Sequence, residues 1–386
     1  MNRRRLLAAG AAGCACALVR HAWAQVPVDY TVPERLARPD VASDEGGLWA
    51  LMDREERNLR RSPFAVPDAK LKAYLQAVAC RLGGEHCPDI RVHLVRTPVF
   101  NASMAPNGML QLWTGLLLRV ENEAQLAAIV GHEIGHYLQR HSVDRLRDIR
   151  AKSAFGQFLG LFGLAGAVGQ LAVLASAFAY SREHEREADR IGAFLMYQAG
   201  YDVAEASRVW GNLLDELKAG QGQDPERMSP LFATHPAPPE RREALARYAT
   251  AMPGGSIGDE AFVANTQRFL DEWLQDEVKR GQYAESLALL SRLMARQGAA
   301  GLIHVHRGDV YRLRGEKGDL ELALADYRSA SQSPDPPAQA FRGIGLANRQ
   351  LGQNVEAVEA LDRYLALAPN APDAGLIATY IVELRQ

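Results

Sequence analysis

The sequence predicts a mainly α fold (α+β): a helical domain that holds a small β-sheet, followed by an α-helical solenoid of short repeats. Three observations predict it. His132-Glu133-Ile134-Gly135-His136 ends an apolar run, Ala124 to Gly131, that reads as a buried helix. Only Ile90–Val95, which alternates apolar and polar residues, and Met109–Trp113 read as strands, the second as an edge partner of the first. Beyond these, a self-similar unit recurs at offsets of 37 and 34 residues. A length of 386 residues fits two such domains.

The chain opens with Arg3-Arg4-Arg5, an apolar run from Leu6 to Val19 and the A-x-A site Ala22-Trp23-Ala24. This is the pattern of a bacterial signal peptide over 1–24, which places the mature start at Gln25 and the protein in the periplasm. Cleavage removes Cys14 and Cys16 and leaves Cys80 and Cys87, for which an oxidising compartment favours a local disulfide. It also removes four arginines, taking the formal charge from −2 to −6. No basic stripe with interleaved aromatics occurs, so nucleic acid is not an expected partner.

Residues 40–61 and 67–82 read as helices ahead of the two strands. The H-E-x-x-H motif follows. Two histidines four apart on a helix are separated by about 40° around the axis and about 6 Å along it. Both imidazoles of His132 and His136 can then reach one metal ion, with Glu133 beside the open position as general base, the arrangement of a zinc hydrolase. Ionisable groups without partners are costly on a buried helix, which weighs against two incidental histidines. Gln139 and Ser142 stand where a metzincin would carry Gly and a third His, so the remaining ligand comes from elsewhere.

The uncharged run Phe155–Ala179 is long enough to span a bilayer, but its glycines and Gln157 and Gln170 favour an intradomain hairpin over 154–179. The sharper reading is a hairpin that dips into a membrane surface. The next helix carries Glu185, Ala188, Asp189, Gly192, Leu195 and Met196 on one face and Glu183, Arg186, Glu187 and Arg190 on another. The second face is an ordinary solvated charge face. Acids on the first need a partner, and a metal is a good one. Glu185 is the expected third ligand, and Asp189 its neighbour, either orienting a ligating His or donating a proton. Pairing of both acids with Arg182 or another base remains the alternative. His184 lies off that face and is expected to be structural.

Lys218–Pro230 is polar and Gly-rich, and precedes Thr234-His235-Pro236, which reads as a loop. Met252–Gly258 is the expected linker, giving domains over 25–252 and 259–386. In the second, Gly281, Gly318 and Gly352 each open a unit with a small sixth residue (Ser286, Ala323, Ala357) and a large tenth one (Leu290, Tyr327, Leu361). Paired helices of that period form a short tetratricopeptide-like solenoid with a concave face suited to a peptide or protein partner.

H-E-x-x-H followed by Ser181-Arg182-x-x-Glu185-x-x-Ala188-Asp189 resembles the HtpX and CAAX-prenyl-protease type of zinc metalloproteases, which are gluzincins. Asn101–Gly108 with Met109–Trp113, and Thr234-His235-Pro236 with Glu240-Arg241-Arg242, extend the resemblance over about residues 70–245. It implies that His132, His136 and Glu185 bind one Zn2+ per chain, with Glu133 as base and Asp189 as companion acid. It also brings His235 near the metal, as an oxyanion donor or as a fourth ligand that latches the site. The organisation is similar to that of periplasmic members with tetratricopeptide repeats. This implies an endopeptidase for misfolded or stalled exported and outer-membrane proteins, whose repeats meet the outer-membrane assembly machinery. The competing expectation is a mainly non-proteolytic chaperone or scaffold. Retention of Glu133 favours the enzyme, since a structural zinc would take a fourth protein ligand and need no base.

Overall fold

The computed structural model describes residues 30–151, 180–220, 235, 239–294 and 300–386. The expected signal peptide, the expected 154–179 hairpin, residues 221–230 of the Lys218–Pro230 segment, and Thr234 and Pro236 lie outside them.

Two helices open the described chain. α1 (Asp44–Arg60) is capped by Ser43, whose hydroxyl accepts the Gly46 N–H. α2 (Ala69–Gly83) is capped by Asp68. Such caps satisfy amides that the first helical turn leaves without partners. Cys80, near the end of α2, forms a disulfide with Cys87 in the 3-10 segment that follows.

The sheet has three strands, β1 (Arg91–Val95), β2 (Ala102–Met104) and β3 (Met109–Trp113), in the order β1-β3-β2. β3 runs parallel to β1 and antiparallel to β2. Met109–Trp113 is therefore the central strand, and the expectation that it forms the edge is corrected. Its complete burial is the physical reason: all five side chains are covered, which a central strand allows. The edge is β2, too short to stand out as a strand by alternation. The outer side of β1 is taken, because Leu94 O accepts the Val66 N–H and Arg96 N–H donates to Phe64 O. Glu56 of α1 ties the sheet to the turn before β3 through Arg91, His93 and Asn107. Burial alone would raise its pKa, but hydrogen bonds from His93 and Arg91 outweigh that and hold it at about 2.

After α3 (Thr114–Arg119), the motif helix α4 (Glu123–Leu138) starts at the Asn122 cap and is buried along its whole length. α5 (His141–Ala151) follows, then α6 (Arg182–Gln198), capped by Ser181, α7 (Ala204–Ala219) and α8 (Pro239–Ala251). α4 and α6 pack backbone to backbone. A Cβ added at Gly192 would lie 2.8 Å from His132 N and 3.0 Å from the Gly131 carbonyl carbon. One added at Gly135 would lie 3.1 Å from Ala188 Cα. Small residues at these four positions let the axes approach this closely.

The remaining helices are α9 (Asp259–Thr266), α10 (Leu270–Lys279), α11 (Tyr283–Leu293), α12 (Ala300–Arg314), α13 (Asp319–Ser331), α14 (Ala338–Gln350), α15 (Asn354–Leu367) and α16 (Ala374–Leu384). The repeat pattern has a direct structural meaning. Gly281, Gly318 and Gly352 all turn the chain with φ between 70° and 89°. The sixth and tenth residues of each unit are buried. Tyr327 fills the space beside Gly308 and Gly343, so in the second unit the large tenth residue packs against helices on both sides.

The core is continuous from α2 to α12; Leu213, Phe262, Trp273, Leu290 and Ile303 belong to the same cluster. The 252–258 segment is stitched to the first half: Ser256 exchanges backbone hydrogen bonds with Gly200 and Asp202, and Ala124 N–H donates to Ile257 O. Among the described residues no helix is long and apolar enough to cross a membrane.

The α4–α6 contact predicts an asymmetry between glycines. Gly192→Ala should lower stability by about 1–3 kcal/mol, since overpacking forces the backbone apart. Gly47→Ala, at an open position of α1, should raise stability by up to ~1 kcal/mol through helix propensity. Urea denaturation midpoints check this, and equal midpoints for the two variants would refute the close-contact account.

Candidate metal centre and active site

Four side chains from three places in the chain meet in the interior. α4 supplies His132 and His136, α6 supplies Glu185, and His235 comes from beyond α7; all four are buried. Their nearest ligand atoms lie within 4.8 Å of one another, so they could hold one metal ion. The Nε2 atoms of His132 and His136 are 3.1 Å apart. Glu185 Oε1 lies 3.2 Å from His136 Nε2, and Oε2 lies 3.5 Å from His132 Nε2. His235 Nδ1 is 3.0 Å from Glu185 Oε1 and 3.3 Å from His132 Nε2.

Glu133 sits beside this cluster. Its Oε2 accepts the Met104 N–H of β2 at 3.0 Å. Its Oε1 is buried without a hydrogen-bond partner, 3.6 Å from His235 Nε2. Asp189, one turn beyond Glu185, meets His132 Nδ1 at 2.9 Å. That contact favours a proton on Nδ1 and directs the Nε2 lone pair inward. Of the two roles open to Asp189, this geometry matches the orienting one.

The sequence-expected residues are therefore brought together, and His184 does not join them: its ring stacks on His141 at 4.1 Å. Two contributors were not singled out from the sequence. Arg241 of α8 is buried and holds Asp189 with two hydrogen bonds of 2.6 and 2.8 Å. Its Nη1 lies 2.9 Å from Glu185 Oε2 without the alignment of a hydrogen bond, and its guanidinium covers the Trp210 ring at 4.0 Å. The Glu240-Arg241-Arg242 run was visible, but nothing local marks Arg241 as buried. Tyr180 stacks on His136 at 3.9 Å, and its hydroxyl shares a hydrogen bond with Ser142.

Charge explains the protonation tendencies. Glu133, Glu185 and Asp189 bring three carboxylates, against which Arg241 is the one fixed cation in contact among the described residues. Burial would raise the Glu185 pKa, yet His235 and Arg241 hold it well below the carboxylate range. Asp189 is likewise lowered despite burial, chiefly by Arg241 and then His132. Burial pushes His136 well below the ordinary histidine value. His235 shifts the other way: burial lowers it, but Glu185 and Glu133 more than compensate and raise it.

These residues fit a divalent cation. The Nε2 atoms of His132 and His136 face each other, with Arg241 Nη2 3.1 Å from the first of them, and Glu133 Oε1 and Glu185 Oε2 are buried without hydrogen-bond partners. With Arg241 counted, two negative charges remain to be balanced. The donor set of imidazoles and one carboxylate is one that zinc takes.

Residues 65–249 match the family model described as Peptidase family M48. The chain is 25% identical over 376 residues to the "Beta-barrel assembly-enhancing protease" of Escherichia coli (strain K12), covering 84% of this chain and 76% of that protein. It is 31% identical over 156 residues to the "Mitochondrial metalloendopeptidase OMA1" of Arabidopsis thaliana, covering 40% of this chain and 31% of the relative. Against the "Metalloendopeptidase OMA1, mitochondrial" of Homo sapiens it is 32% identical over 170 residues, covering 40% and 32%. The chain thus spans about a third of the length of these two OMA1 relatives. It carries a peptidase M48 domain and is a zinc-dependent metallopeptidase.

The purified chain should bind about one zinc ion. Changes to residues behind a ligand commonly cost about 10–100-fold in affinity, so Glu185→Gln should cost at least that. Glu183→Gln, whose side chain is 86% exposed on the same helix, should bind zinc as the parent does. Competition with a chromophoric chelator measures both, and equal affinities would remove Glu185 from the site.

Proposed function

We propose that this metallopeptidase is an exported, periplasmic endopeptidase that hydrolyses peptide bonds in misfolded or stalled exported and outer-membrane proteins. Residues 1–24 are its signal peptide, 25–252 its protease domain and 259–386 a tetratricopeptide-like docking domain. The observation that carries the reading is the placing of Glu133 between the His132–His136–Glu185 cluster and the open edge of β2.

That edge supports a polypeptide substrate. Trp113 N–H donates to Asn101 O and Ala105 N–H to Met109 O, so the alternate residues Ala102 and Met104 turn their peptide groups away from β3. An extended substrate can pair there as an added strand, its scissile bond alongside Glu133. Zinc held by His132, His136 and Glu185 would polarise the scissile carbonyl and lower the pKa of water at the site. Glu133 Oε1 takes the proton of the attacking water as the new C–O bond forms. The same oxygen returns the proton to the amide nitrogen as the C–N bond breaks. Asp189 and Arg241 keep His132 oriented throughout.

His235 acts as a latch. Its Nδ1 lies against Glu185 and His132, in the place of a fourth ligand, and its other nitrogen faces the base. Leaving that place would admit substrate. The docking role draws on the repeat units and on a cavity of about 510 Å³ whose lining includes Lys279, His306, Arg342, Tyr364 and Asp373 from several helices. The name of the Escherichia coli relative points to outer-membrane assembly machinery as the partner.

Two experiments test this. Glu133→Gln should retain zinc and lose about 10²–10⁴-fold in cleavage of an unfolded protein substrate, the usual worth of a general base. Unchanged cleavage would sink the mechanism, and full rescue of a deletion phenotype by this variant would favour the chaperone reading. His235→Ala should raise cleavage, up to self-cleavage. A loss of about 10²–10³-fold would instead identify an oxyanion donor, and an unchanged rate would remove both roles.

A further inference from the structure

His136 has a second partner that the proposed mechanism does not use. Its Nδ1 lies 2.8 Å from Nδ1 of His141, the first residue of α5, which is 2% exposed. Between two imidazole nitrogens at that distance, one donates and the other accepts. His136 Nε2 faces the metal cluster and must present its lone pair there. Its single proton then sits on Nδ1, and His141 Nδ1 is the acceptor. The proton of His141 therefore falls on Nε2, which points to Glu187 Oε2 at 3.4 Å. The chain Glu187–His141–His136 mirrors the Asp189–His132 contact on the other imidazole.

The backbone is shaped to make this contact. Arg140 has φ 55°, the one non-glycine residue with positive φ among the described residues. A side chain in this left-handed conformation is disfavoured, and positions that hold it are over-determined by their surroundings. Here an ion pair with Glu45 and the hydrogen bond from Arg140 N–H to Tyr137 O fix the turn. The turn ends α4 and folds the first residue of α5 back onto His136, five residues earlier. The His184 ring stacked on His141 fixes its plane, as Tyr180 fixes that of His136.

We propose that His141 is a positioning residue for the metal centre. It accepts the Nδ1–H of His136, selects the tautomer that turns Nε2 towards the ion, and passes the hydrogen bond on to Glu187. The proposal rests on the reading of His136 as a ligand.

Zinc affinity of the purified chain, measured by chelator competition, tests it. His141→Phe keeps a stacked ring but removes the acceptor, and should weaken binding about 10–100-fold. His141→Asn keeps an acceptor at the δ position and should bind close to the parent. Far-UV circular dichroism and the unfolding midpoint of the metal-free proteins establish that both fold. A folded His141→Phe protein with parental affinity overturns the proposal, as does a His141→Asn protein as weak as His141→Phe. Should His141→Phe not fold, 15N NMR of the zinc-loaded parent decides. A proton on His136 Nδ1 and none on His141 Nδ1 is expected, and the reverse assignment overturns it. A parent chain that binds no zinc fails the ligand reading itself, which is a different result from parental affinity in His141→Phe.

Discussion

The centre depends on how closely α4 approaches α6. Histidines on one helix and an acid on another share an ion only if the two helices are held at a fixed separation, and here that separation is very short. Gly131 and Gly135 on α4, and Ala188 and Gly192 on α6, permit this. Their spacing is tied to that of the chemistry. Gly131 and Gly135 each precede a histidine of the motif, and Ala188 and Gly192 follow Glu185 and Asp189 by three residues. A bulkier residue at Gly192 would press on the His132 amide. Small residues here are thus part of the site's geometry, although none of them can bind anything.

Close approach creates an electrostatic problem that the surrounding residues partly solve. Three buried carboxylates repel one another, and a low-dielectric interior screens them poorly. Arg241 is placed where it relieves this most, held by Asp189 and set beside Glu185, with its flat face on Trp210. A guanidinium suits the position because it stays charged when buried and bonds a carboxylate through two N–H groups at once. The raised pKa of His235 is the chain's own response to the negative charge left over. A divalent ion would remove the cause of that shift, and the same excess charge that favours a proton on His235 favours the metal.

Much of this was legible in the sequence because its signals are local. H-E-x-x-H is a helical spacing, and Glu185 and Asp189 stand out as acids on an otherwise apolar helical stripe. The repeat was legible through Gly281, Gly318 and Gly352, whose turns recur with the period. Arg241 was not, because its burial is decided by α6, whose Asp189 lies 52 residues earlier. His141 was hidden for a related reason: its contact with His136 arises from a left-handed Arg140, a conformation that an arginine does not announce. The β-sheet was half legible. Residue pattern identified two of its strands, but order within a sheet is set by pairing. The three residues of β2 carry too little pattern to show that they cap the edge of β3.

The edge of β2 and the carboxylate of Glu133 compete for one amide. Met104 N–H points away from β3, where an incoming strand would bond, and Glu133 Oε2 already accepts it. A substrate strand that takes this amide for its own carbonyl leaves Glu133 without its buried donor. Strand pairing at β2 and the hydrogen bonding of Glu133 would thus be coupled through one backbone group. The coupling needs a β2 that does not drift. Glu56 supplies part of that rigidity through Asn107 and Arg91. The repeat region supplies more: Arg96, just beyond β1, is held by Asp276 of α10, while the buried Arg119 of α3 bridges Glu216 of α7 and Glu277 of α10. Ion pairs as buried as those of Arg119 stabilise little on balance, since desolvation offsets much of their attraction, but breaking one partner is costly. The Arg96 and Arg119 pairs fix α10 against the end of β1 and against α3 and α7, so the first helices after the linker and the sheet beside the site share one set of ion pairs.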